Sequence, residues 1–215
     1  APESIPEVPA GVDIQAEGSL ILDAFGVVMA KGSFNLQLGT VTELGADGEL
    51  DGEAGTDLTQ DDTEYKSMVL TLGTGALDKV ELFIGVGGQL EENGTGYADD
   101  TFNLESGVGF HAELEGLSLV TLKNNNETPT DAADDTSYLG LELSNLSAEL
   151  VGIDGLTLGA FGVGLKVNQA RDGDTNPAND PDKLDWTTFF DNTAGLTLAP
   201  ESIPEVPAGV DIQAE

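Results

Sequence analysis

Residues Ala1 to Glu17 read APESIPEVPAGVDIQAE, and residues Ala199 to Glu215 repeat them letter for letter, 198 positions further on. Chance does not produce a perfect copy of that length. It marks a sequence that recurs every 198 residues, of which this chain holds one period and the start of a second. Whatever the fold, it must seat the same segment twice. The prolines at 2, 6 and 9, and again at 200, 204 and 207, stiffen that segment and remove backbone donors, which suits a connection better than a central strand. The expected division is therefore a Pro-rich inter-unit linker at 1–11, a β-rich repeat unit at 12–198, and the start of the next repeat at 199–215.

Between the two copies the apolar residues fall at alternate positions, the period of a half-buried strand. Val12, Ile14, Ala16, Leu20 and Leu22 share one side, and Asp13, Gln15, Glu17 and Ser19 the other. The alternation returns at Phe34–Leu38, Val80–Val86, Val108–Leu114, Leu139–Leu143 and Phe161–Val167. Its parity slips between Leu114 and Leu117 and between Leu143 and Leu146, as a bulge or tight turn would make it do. Shorter echoes, LILDAFGV at Leu20–Val27 against LTLGAFGV at Leu156–Val163, suggest an older subrepeat. The 28 glycines serve hairpin turns and penalise helix interiors, and the one local helix candidate is LDWTTFFDN at Leu184–Asn192. These features predict an all-β fold of antiparallel strands, a sandwich, barrel or stacked sheet, repeated head to tail, with the oily side of each strand turned into the core.

Seven basic residues against 40 acidic ones give a net charge of −33. Such a surface repels nucleic acid and anionic membranes and attracts cations. The chain has no cysteine, so disulfides, zinc–thiolate sites and thiol nucleophiles are excluded. No apolar run approaches the roughly 20 residues of a membrane-spanning helix, so membrane insertion is not expected, and no signal peptide is visible.

Four segments gather the carboxylates: Gly45–Glu64, Glu91–Asp100, Asn124–Ser137 and Ala170–Trp186. In the last, Asp172, Asp174 and Asn176 stand at alternate positions with Asp180 and Asp182 following, a run of hard oxygens of the kind that wraps calcium. It is not an EF-hand loop, because Pro177 and Lys183 stand where that loop needs glycine and glutamate. Calcium at these five residues is the metal expectation; solvated acidic loops are the alternative.

No catalytic constellation emerges. His111 lies in GFHAELE opposite Phe110 and Ala112, with no second histidine to build a metal site, and reads as an exposed strand residue. The GVGG at Gly85–Gly88 lacks the lysine of a phosphate loop and reads as a strand end. Trp186, Phe189 and Phe190 form the densest aromatic group, suited to core packing or to plugging one end of the unit.

The duplicated APESIPEVPAGVDIQAE, with LGAFGVGLKVN at Leu158–Asn168 and LSAELVGIDGLTL at Leu146–Leu158, resembles the repeat units of giant bacterial secreted and surface proteins of the fibre or adhesin-stalk type. The resemblance covers the whole chain in style. It implies a non-enzymatic, extracellular or cell-surface role as a structural repeat of a filament or stalk, neighbouring identical repeats as partners, and calcium as a stiffener. A calcium-dependent adhesin or ligand-binding module is the alternative.

Overall fold

The computed structural model describes residues 10–45, 62–73, 79–94, 96–97, 99–124, 135–174, 176–178 and 180–214. Eleven strands appear among them: β1 (Val12–Ala24), β2 (Val28–Glu43), β3 (Thr63–Leu72), β4 (Val80–Val86), β5 (Gln89–Glu91), β6 (Thr101–Asn103), β7 (Val108–Asn124), β8 (Thr136–Val151), β9 (Leu158–Asp172), β10 (Thr193–Gly195) and β11 (Ile212–Ala214). The fold is all-β and antiparallel, as the alternation predicts. The LDWTTFFDN stretch supplies one short helix, α1 (Trp186–Phe189), capped by the Asp185 side chain.

Nine strands make one sheet, ordered β1-β2-β3-β7-β8-β9-β11, with β4 between β2 and β7. β3 and β4 share a lane: Leu72 pairs Phe34 and Glu81 pairs Lys31, so both strands lie along β2 in the same row. β5 and β6 form a separate hairpin. The expected parity slips are real. Leu114 and Leu117 pair Leu146 and Leu143 across β7 and β8, and Asn145 between them takes a positive φ of 56°.

The register places like residues side by side. One row crosses every lane as Ala16, Leu36, Leu70, Leu119, Leu141, Val167 and Ile212. This is the oily side that the sequence assigns to the core, but the buried core lies on the opposite side. Val41, Tyr65, Val69, Val120 and Leu122 point there, against Trp186, Phe189 and Val206. The reason is chain path. The segment that follows β9 crosses the sheet on that side, and so do α1 and residues 199–211, while the 87–107 segment folds over Met29 and Phe83.

Trp186 is the keystone of this covering layer. It is fully buried, and its ring sits against Gly140 so closely that a Cβ there would lie 2.5 Å from it. Its Nε1–H donates to Asn168 Oδ1 at 3.1 Å, and Asn168 Nδ2 donates to the carbonyls of Leu184 and Pro207. Edge-to-face contacts link Trp186 to Phe189, and Phe189 to Tyr65 and Phe190. Burial, and then Glu43, whose carboxylate accepts from the Tyr65 hydroxyl at 3.0 Å, push the Tyr65 phenol well above its ordinary range.

Candidate functional site

The most distinctive site is the pair of sheet edges, because one sequence builds both. At one edge the first copy of VDIQAE opens β1, where Ile14 pairs Leu38 and Ala16 pairs Leu36. At the other edge the second copy forms β11, where Ile212 pairs Val167 and Ala214 pairs Leu165. Equivalent residues thus carry both edges, and Ile and Ala face the oily side in both places. The Asp211 carbonyl extends the second pairing by accepting from Asn168 N–H at 3.0 Å.

The segment leading into β11 is a strap over the sheet. Val206 is fully buried and Pro204 nearly so. Its backbone groups are held by sheet side chains: Ser118 Oγ donates to the Glu201 carbonyl at 2.6 Å, Lys166 Nζ to the Glu205 carbonyl at 2.7 Å, and Glu205 N–H to Glu142 at 2.6 Å. Trp186 N–H donates to the Val206 carbonyl at 3.1 Å. The equivalent residues 1–9 lie outside the described residues. The two copies diverge at their shared glycine. A Cβ on Gly11 would meet the Thr40 carbonyl at 2.7 Å and Gly195 at 2.8 Å, whereas nothing lies within 4 Å of one on Gly209.

The expected calcium residues sit where β9 ends. Asp172 Oδ1 accepts from Asp174 N–H at 3.1 Å, Asp174 Oδ1 accepts from Asn176 N–H, and Asn176 Oδ1 accepts from Ala178 N–H at 3.3 Å. Asp180 Oδ1 reaches back to Asp172 N–H at 3.3 Å. The first three are local side-chain caps of turns, and the fourth closes the loop across eight residues. Asp182 stands nearer Tyr138, whose phenol is raised mainly by burial. Much of two other acidic segments, residues 46–61 and 125–134, lies outside the described residues.

A compact polar cluster that sequence reasoning missed lies under the 87–107 segment. Glu81 bonds His111 Nε2 at 2.9 Å and Lys31 Nζ at 3.1 Å, with Glu149 3.7 Å from His111 Nδ1. His111 is therefore not an exposed strand residue: only 16% of its side chain is accessible, because the loop carrying Asp100 and Phe102 covers that side. The signal was the cross-strand register of Lys31, Glu81 and Glu113, which a single sequence does not display. Glu81, His111 and Glu113 could each offer one ligand atom to a shared ion, the one such group among the described residues.

The hydrogen bond to Glu81 raises the His111 pKa, and neighbouring Glu113 and Glu149 act the same way against burial. Burial pushes the Glu81 carboxyl up, but the bonds from His111 and Lys31 outweigh it and hold the carboxyl below its usual range. The raised histidine contributes stability that is complete below about pH 6.5 and is lost as pH climbs through its folded pKa. The lowered carboxyl contributes above about pH 4.5 and loses its part as pH falls. We expect His111→Gln to cost about 1–2 kcal/mol at pH 6 and distinctly less at pH 9, read from paired urea titrations. An unchanged difference across that interval would contradict the assignment.

Comparison with family models, curated proteins and solved structures finds no match to this chain.

Proposed function

We propose that this chain is a structural unit that assembles head to tail at the cell surface, with the sheet of one unit running on into the sheet of the next. The observation that carries the reading is that one repeated sequence, with Ile-Gln-Ala in strand in both copies, forms both edges of the sheet. In an array each copy would pair with β9 of the unit before it and with β2 of its own unit. The register supports this. The row that starts on Ala16 reaches Ile212, the counterpart of Ile14, so successive units are offset by two positions. An even offset keeps the oily side on the same side throughout; an odd one would reverse it at every joint. The open space beside Gly209, set against the contacts around Gly11, lies where the next unit's β2 and β10 would pack. A β1 of 13 residues with one edge unpaired is otherwise an aggregation hazard.

Six strand lanes per period, alternating in direction, return the chain to the orientation in which it began, so the next unit's first strand can add antiparallel to β9 once the segment carrying β10 has crossed the covered side to β2 and come back. The test is the native chain on a denaturing gel after graded proteolysis. A ladder spaced by about one 198-residue period is expected. A native chain of a single period that stays monomeric would overturn the reading.

A further inference from the structure

We propose that the uncovered side of the sheet is a lipid-facing band, and that the assembled sheet forms part of a wall crossing a membrane. The proposal rests on the head-to-tail reading in one respect, since hydrocarbon does not tolerate open strand edges and the joint is what pairs them.

One side of the sheet carries the strap, α1 and the 87–107 segment; among the described residues nothing covers the other. Large apolar side chains there stand open, with Leu20 53%, Ile84 51%, Phe110 56%, Leu158 56% and Ile212 68% exposed. The rows are continuous. Besides the row through Leu119, another runs Ala24, Val28, Ile84, Phe110, Leu150 and Leu158. No charged side chain stands among the paired residues of these rows, in a chain with 40 acids. Seven lanes about 4.8 Å apart and about 11 residues tall give an apolar surface on the order of 1,000 Å². A soluble monomer rarely exposes more than a few hundred.

Three features favour lipid over a second copy of the chain as the occupant. The first is height. The band runs from Val28 to Leu38 on β2 and from Val108 to Leu119 on β7, about 36 Å of strand, enough to cross a hydrocarbon core of about 30 Å with some tilt. The second is its border. One row above the band reads Thr40, Lys66, Lys123, Ser137 and Arg171, which gathers three of the chain's seven basic residues at a single level. Lys66 and Lys123 also meet Glu64 and Asp135 on the outer side. Cations and hydroxyls at that level suit lipid phosphates. The third is sidedness. The connections 44–62, 125–135 and 173–211 leave from that border, whereas the opposite end carries the tight turns at Phe25–Gly26 and residues 152–157 and a single long connection, 87–107, which lies over the covered side. A bias of short turns to one end and long loops to the other is what a strand wall across a bilayer has. Among the described residues no helix is long and apolar enough to cross a membrane, but strands cross by alternation, which a search for continuous apolar runs does not register.

The test uses the full chain, which carries both edge strands and has no cysteine, so that single labelled cysteines are unambiguous. Environment-sensitive labels at Leu20→Cys and Ala148→Cys, on the band, are compared with labels at Ser19→Cys and Ser147→Cys on the other side. In phosphatidylcholine vesicles, brominated lipid should quench the first pair several-fold more than the second. Leu20→Arg with Ala148→Arg should cut the vesicle-bound fraction about tenfold, and Ser19→Arg with Ser147→Arg should leave it. Equal quenching, or a chain that stays in the aqueous phase, overturns the proposal. So does shielding of positions 20 and 148 by self-association in water, which would make a second copy the occupant. Alternating quenching together with a single-period native chain would keep the lipid band and remove the joint; a proteolytic ladder without quenching would do the reverse.

Discussion

Trp186→Ala should lower the unfolding free energy by about 4–6 kcal/mol, the largest single-residue effect we expect. The indole is fully buried at the centre of the covering layer, touching Phe189 and filling the space that Gly140 leaves open. Truncating a buried aromatic costs about 3–5 kcal/mol through lost transfer energy and the cavity left behind. A further cost of about 1–3 kcal/mol arises at Asn168, whose buried Oδ1 would lose the Trp186 Nε1–H donor. For a domain whose total stability is on the order of 5–15 kcal/mol, that leaves it partly unfolded at ambient temperature. Urea titration followed by circular dichroism reads the loss, because the variant removes the chain's one tryptophan. Trp186→Phe separates the two contributions: most of the volume stays, the N–H goes, and a cost of about 1–3 kcal/mol is expected. A wild-type-like midpoint for Trp186→Ala would mean that the layer does not hold the sheet.

Much of this fold is legible in the sequence. Period-two alternation marks the long strands other than β3, and the parity slips at Leu114–Leu117 and Leu143–Leu146 fall where the strands break step. It also tells which residues share a side. It does not tell what covers that side. An apolar row reads the same whether it faces a core, a lipid or another copy, and the segments that decide the matter come from elsewhere in the chain. The covered side is the less apolar one, with Ser67, Ser118 and Asn168 buried among Val69, Val120 and Leu122, so hydrophobicity alone selects the wrong side as core. The placement of β3 and β4 in one lane and the cluster of Lys31, Glu81 and His111 depend on long-range register, for which a single sequence holds no signal. The echo between LILDAFGV and LTLGAFGV does not mark equivalent positions in the sheet. The first spans the β1–β2 turn, and the second runs into β9, where Gly162 disturbs the strand.

Val206→Asp should be the second most damaging change, and it locates the strength of the proposed joint. β11 pairs with β9 over three residues, too few to hold an edge by backbone hydrogen bonds alone. What anchors the repeated segment is the strap before it. The prolines make that strap extended and stiff, and Pro204 and Val206 are the apolar side chains it buries, with Val206 inaccessible in the cluster of Trp186, Val120 and Val41. An unpaired carboxylate at that point cannot stay both charged and buried, and the strap escapes the conflict by lifting off. The expected cost is about 3–5 kcal/mol, limited by whatever the strap's docking contributes. Its signature is local. Hydrogen exchange should accelerate at Trp186 and Asn168, whose amides are held by Val206 and Asp211, while the paired amides of β2, β3 and β7 stay protected. Uniform acceleration across the sheet would instead make the strap part of one cooperative unit. In an array the same substitution falls at every joint, so loss of docking here would turn a continuous wall into units hinged on an undocked strap.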